Sequence, residues 1–387
     1  MKRLTLIIIL FSTLLVKSQT YPSYGPEIDV TITGLTFDAM EPFISPNGNT
    51  LFFNNLNSGD STKLFYATKV NDSTFNYVDE LNGTNQVTPP YLDGVADMDS
   101  SNSFYWTSTR NYGAELETLF HGKYSNGNVT NIGRVHGNFN KNIPGWLIMD
   151  HGISYNGSSL VFSNARFATN QCQGGACETE MGIAQKVNDS TFNKLPNSSV
   201  ILQHINDTNY IYYAPCISSD NLELYYTRYA KGDSVTVNTT FEICVAVRNT
   251  PTTTFSVPLV LFSETIANLI EAPTLTTDKR IMYYHKKITG SHKIVMRYRE
   301  NSLTINHPNQ TSVNFNIYPN PANDLINTRI LTDYNNINIS VLSLFGELLI
   351  FQKNKTQINI NTLPSGTYFI RIEIDNKIEF QKFVIVK

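Results

Sequence analysis

A chain of 387 residues is too long for one small domain and suits two or three. Hydrophobic residues make up 41% and aromatics 12%, enough for a substantial core. Charged residues are only 16%, the formal net charge is -3, and no Lys/Arg block stands out, which argues against a nucleic-acid partner.

Residues 1–18 read as an export signal. Lys2 and Arg3 form a positive start, Leu4 to Val16 is apolar, and Val16 and Ser18 suit the small-residue positions of a cleavage site. The apolar run is too short to span a bilayer comfortably, and no later stretch could cross one. The mature protein is therefore expected to be exported, soluble and without a membrane span.

Ile28 to Thr33 alternates as a strand but has no hairpin partner of its own. From Glu41 to Phe53 the chain then reads as strand, tight turn, strand. Ser45, Pro46, Asn47 and Gly48 are turn formers, and Leu51, Phe52 and Phe53 begin a second β-run. Degenerate copies return four times, with the turn position moving from Gly48 to Asn102, Gly157, Asn221 and Lys279. The steps are 54, 55, 64 and 58 residues. Each period holds three or four short strands and no helical pattern. Lys69 to Asn76 also recurs letter for letter as Lys186 to Asn193, in the same place in its repeat.

This pattern predicts a five-bladed β-propeller over residues 27–300. The fifth repeat shows three strands, and Ile28 to Thr33 is expected to supply its outer strand, closing the ring and removing free edges. If that strand pairs elsewhere, or if Val200 to Ile211 forms a partial blade, five becomes six. The Ser45-to-Phe53 hairpin resembles the WD40-like repeat of TolB-type propellers, which runs Ser-Pro-Asp-Gly into a strand. That resemblance implies the fold and little about function.

Cys172 and Cys177 flank a loop with two glycines and are expected to form a local disulfide. Cys216 and Cys244 fall on non-adjacent strands of one repeat and read as buried small hydrophobes. The seven histidines show no metal-ligand spacing, so neither a metal nor another cofactor is expected.

Residues 301–311 read as a polar linker, and residues 312–387 as a small Ig-like β-sandwich. The latter segment resembles the C-terminal sorting domain of type IX secretion cargo from Bacteroidetes-type bacteria. The likeness rests on Tyr318-Pro319-Asn320-Pro321, on Gly346 after a strand, and on Leu363 to Phe369. It implies recognition by the type IX machinery and delivery to the cell surface or medium.

A propeller presents the starts of its inner strands around the mouth of a central channel. Alignment on the turns places Glu41, Val95, Asp150, Ala214 and Ala272 in one column there. Asp97, Asp99, His151 and Glu271 are neighbours. Glu41, Asp97, Asp150, His151 and Glu271 are thus the candidate ligand-binding residues. The expected role is binding of a glycan, a peptide or an envelope protein. The alternative is a glycan-cleaving enzyme using Glu41, Asp150 and Glu271. Glu41-Pro42 and Glu271-Ala272-Pro273 are distantly similar to acid-Pro elements of five-bladed glycoside hydrolases, although Ala214 stands where an acid is wanted. Phe52, Tyr105, Tyr225 and Tyr283 recur at one repeat position, which points to packing between blades.

Overall fold

The five hairpin turns share one local chemistry. In the first, Ser45 Oγ bonds Asn47 Oδ1 at 2.8 Å and accepts the Thr50 N–H at 2.9 Å. Ser154 and Asn156, Ser218 and Asp220, and Thr276 and Asp278 repeat the arrangement, and Asp99 alone caps the second turn. The next residue in every turn is left-handed: Gly48, Asn102, Gly157, Asn221 and Lys279 have φ between 59° and 73°. The aligned turn column is therefore a real backbone column, tolerated without glycine because the side-chain caps hold it.

The computed structural model describes residues 21–56, 61–86, 91–168, 171–300, 315–330, 336–343, 348–374 and 377–387. The expected signal over 1–18, the linker over 301–311 and Gly346 lie outside the described residues. Two compact units emerge, Met1–Asn301 and Ser302–Lys387.

The first unit is a ring of five sheets. Their inner strands are Met40–Ile44, Tyr91–Met98, Trp146–Ile153, Tyr210–Ile217 and Ile270–Leu275, defining sheets one to five. Each inner strand packs beside the next, and the fifth beside the first. The second strands carry paired large side chains that face opposite seams, as period-two alternation demands. Phe53 joins the core between sheets five and one, and Phe52 that between sheets one and two. Tyr105 and Trp106, Phe162 and Val161, Tyr226 and Tyr225, and Tyr284 and Tyr283 divide in the same way. Each fully buried ring of this kind contributes about 1.5–3 kcal/mol.

The repeated octapeptide is explained by the same seams. Its two copies form outer hairpins at Leu64–Asn71 with Thr74–Glu80 and at Glu178–Asn188 with Thr191–Lys194. Phe75 meets Tyr283 of the preceding sheet edge-on at 6.0 Å, and Phe192 meets Tyr105 at 6.1 Å. Lys69–Asp72 and Lys186–Asp189 ion pairs brace the two turns.

Three expectations need correction. Ile28 to Thr33 is not one outer strand. Ile28–Asp29 pairs antiparallel with Ser291–Tyr298 of sheet five, whereas Thr31–Thr33 runs parallel to Thr74–Glu80 of sheet one. The chain crosses the seam between them because Val30 is buried there with Ile28 and Ile32 against it, so the segment ties two sheets together. Val200 to Ile211 forms no extra sheet. It holds the short helix Ser198–Ile201 and runs into the inner strand of sheet four, with Ile201, Leu202 and Ile205 plugging the seam between sheets three and four. Cys216 is half-buried rather than buried, because it lines the central channel, while Cys244 is buried as expected.

The second unit has a three-stranded sheet, Phe315–Tyr318, Leu325–Ile330 and Gln357–Asn359, and a four-stranded sheet, Leu348–Lys353, Ile337–Leu342, Gly366–Ile374 and Lys377–Ile385. Both contribute alternate residues to one core, with Ile317, Ile326 and Ile358 from the first and Ile339, Ile370 and Phe383 from the second.

Candidate functional site

The aligned column at the start of the inner strands is a second backbone column. Glu41, Val95, Ala214 and Ala272 have φ of 48°, 55°, 49° and 53°. All lie where the register with the second strand slips. Such a bulge turns a backbone N–H out of the ladder, and a neighbouring sheet takes it up. The Val95 N–H reaches Asn54 Oδ1 at 3.4 Å, and the Ala272 N–H reaches Thr227 Oγ1 at 3.0 Å. The Ala214 N–H donates to the Asp150 carboxylate. A left-handed β-branched residue such as Val95 is strained, and closure of the ring holds it in place.

Two spaces meet at this column. A narrow channel of about 80 Å³ is walled by all five inner strands, with Pro42, Asp97, His151, Cys216 and Thr274 in its lining. A wider cleft of about 900 Å³ is lined by Glu41, Met149, Phe167, Tyr213, Tyr229, Phe241 and Glu271. The loop from Gln171 to Ala176 forms part of its wall, with the Cys172–Cys177 bridge in place. Glu41 lines both spaces.

The predicted acids occupy different settings. Glu271 is buried and both its oxygens are engaged: Tyr213 donates to Oε2 at 2.5 Å, and His285 Nδ1 lies 2.8 Å from Oε1. His285 Nε2 in turn lies 2.6 Å from His292 Nδ1. Burial works to raise the Glu271 pKa, and the His285 and Tyr213 hydrogen bonds outweigh it, so the group stays below the usual carboxylate range. With Glu271 ionised, His285 donates to it through Nδ1. Burial, and then the His285 charge, hold His292 below its ordinary value.

Asp150 is buried, and its Oδ2 has no partner among the described residues. Burial first and the Glu271 charge second push it up to about 7, against the Ala214 hydrogen bond. Asp97 is pushed up to about 8 by burial, despite accepting from Ile153 N at 2.7 Å and Met98 N at 2.6 Å. His151 is driven down to about 3 by burial, and neither ring nitrogen has a partner of normal geometry.

Of the predicted site residues, Glu41 and Glu271 share the cleft, and Asp97 and His151 share the channel with Glu41. Asp150 is in neither lining and accepts the Ala214 N–H of sheet four. Tyr213, His285 and His292 were missed in the sequence. The two histidines lie diagonally across the hairpin that turns at Thr289 and Gly290, a placement the Thr-Gly turn would have allowed.

Residues 316–387 match the family model of the secretion system C-terminal sorting domain. That tail marks the chain for export to the cell surface or secretion. No TolB-type repeat family matches the first unit, and no curated protein sequence matches the chain. Among solved structures, a family 117 glycoside hydrolase from Zobellia galactanivorans is similar at 11% identity and a TM-score of 0.43, over 74% of this chain and 93% of that one. An endo-arabinase from Bacteroides thetaiotaomicron is similar at 14% identity and a TM-score of 0.42, over 70% and 96%. These likenesses concern the all-β, propeller-like architecture, and no activity is taken from them. Among the described residues no helix is long and apolar enough to cross a membrane.

Proposed function

We propose that residues 27–300 form a five-bladed β-propeller, joined by a linker over 301–311 to an Ig-like type IX sorting domain over 312–387, and that the exported propeller binds a glycan in the cleft at its channel mouth. One observation supports this reading above the others. The cleft sets the carboxylate of Glu41 beside Phe167, an aromatic residue left 40% exposed in its wall. A sugar presents hydroxyls to the first and C–H faces to the second. Both oxygens of Glu271 are committed to internal partners, which favours binding over bond cleavage.

The test is retention of the full chain on a panel of soluble polysaccharides by affinity electrophoresis. Phe167→Ala should abolish most retention without lowering thermal stability. Unretarded migration on every polysaccharide, or retention indifferent to Phe167, would sink the proposal. A hydrolase reading draws support from the opposed shifts of Asp150 and Glu271, the first raised to about 7 and the second lowered. It requires reducing-end release that Asp150→Asn and Glu271→Gln remove.

A further inference from the structure

A third space, of about 240 Å³, lies between sheets three and four, and none of the cleft residues is in its wall. Its floor is apolar, with Val161, Ile183 and Leu195. Polar groups, including Gln185 and Asn197, stand around it. The one charged residue in the lining is Arg248.

Arg248 differs from the other described arginines of this unit. Arg110, Arg134, Arg166, Arg228, Arg280, Arg297 and Arg299 each contact a carboxylate. Arg248 has none among the described residues. Only 9% exposed, it donates through Nε to Asn221 O at 2.7 Å and lies 4.2 Å from the centre of the Phe255 ring. Its buried Nη1 has no partner. Burial alone drives its pKa down to about 10, as expected for a cation taken from water with nothing to neutralise it. A lone buried charge destabilises a fold unless something completes it.

We propose that this cavity is a binding site for a monoanionic carboxylate carried on an apolar group, with the carboxylate neutralising Arg248 and the apolar body lying on Val161, Ile183 and Leu195. A single guanidinium balances one negative charge. A dianionic phosphate would leave an excess charge in the same enclosed space, and the lining offers no second cation to meet it. The apolar floor selects against a fully hydroxylated anion. Peptide C-termini and sugar acids both carry the carboxylate, and the floor favours the former. This site goes beyond glycan binding in the cleft and stands or falls separately from it.

Calorimetric titration of the full chain tests the proposal, with N-acetyl-leucine, N-acetyl-leucinamide and glucuronate as probes. N-acetyl-leucine should bind saturably, and its uncharged amide at least about tenfold more weakly. Stronger binding of glucuronate than of N-acetyl-leucine would overturn the apolar-bodied ligand and assign the site to sugar acids. Arg248→Met should lose at least about tenfold in affinity for the acid while unfolding no earlier than the parent without ligand, because it removes an uncompensated charge. Gln185 is exposed, so Gln185→Glu tests the same point in an intact fold: a negative charge at the rim should weaken the acid several-fold. The proposal is overturned if no carboxylate saturates the protein, or if acid and amide bind alike. It is equally overturned if Gln185→Glu binds the acid as the parent does, or if Arg248→Met is destabilised with carboxylate binding unchanged.

Discussion

Replacing Asp97 with Asn should change how stability depends on pH, in a direction fixed by the channel. The Asp97 carboxyl ordinarily titrates at 3.8 and is pushed up to about 8 by burial. Below pH 4 the group is protonated in both folded and unfolded chains and contributes no pH dependence. Between about pH 4 and pH 8 the unfolded chain releases the proton while the folded chain keeps it, so stability falls as pH rises. Above pH 8 both are ionised and the penalty is complete. A shift of about 4 units at about 1.4 kcal/mol each sets a ceiling of about 6 kcal/mol. Relaxation and water entry reduce that to about 1–3 kcal/mol. Asn cannot ionise, but it offers one good acceptor where Asp97 serves both Ile153 and Met98, a loss of about 1–3 kcal/mol that does not vary with pH. The measurement is therefore a double difference, from urea unfolding of parent and Asp97→Asn at pH 5 and pH 9. Both tryptophans, Trp106 and Trp146, lie in the first unit, so their fluorescence reports that unit alone. The variant should gain about 1–3 kcal/mol on the parent between the two pH values. An unchanged gap would refute a buried, proton-retaining Asp97.

Phe75→Ala and Phe192→Ala should each destabilise by about 3–5 kcal/mol in urea unfolding, and by similar amounts, since both rings are fully buried against the tyrosine of the preceding sheet. Gly152→Ala should lower stability by about 1–3 kcal/mol, because an added Cβ would sit 2.5 Å from Pro215 O on the neighbouring inner strand. Deleting residues 316–387 should leave the protein inside the cell envelope, which fractionation and immunoblotting of cells and medium would show.

Much of the first unit was legible because its signals are local. A Ser or Thr two residues before Asn or Asp announces a capped turn wherever it occurs, and paired large side chains announce a strand buried on both faces. The same spacing located the column seven residues upstream, which proved in four of its five members to be a shared backbone geometry rather than a shared side chain. That geometry was not legible, since Glu41, Val95, Ala214 and Ala272 carry no preference for a left-handed conformation. Only the closing of five sheets around a narrow channel holds them there, a tertiary cause with no local signature. The split of Ile28 to Thr33 between two sheets was hidden for the same reason. Its alternation is that of one strand, and the crossing at Val30 exists only because two other sheets meet there.

The acids show how far a column argument reaches. Sequence placed Asp150 and Glu271 at a channel mouth, where charge suggests chemistry. The fold gives Asp150 a backbone N–H of the next sheet to hold, and gives Glu271 a tyrosine from sheet four and a histidine from sheet five. Each therefore bridges a seam of the ring, and a carboxylate with that duty has less freedom to exchange protons with a substrate. Glu41 lines the cleft and the channel together. If a bound glycan is read by a carboxylate here, replacement of Glu41 by Gln should weaken its binding. Replacement of Glu271 by Gln should loosen the seam between sheets four and five whether or not a ligand is present.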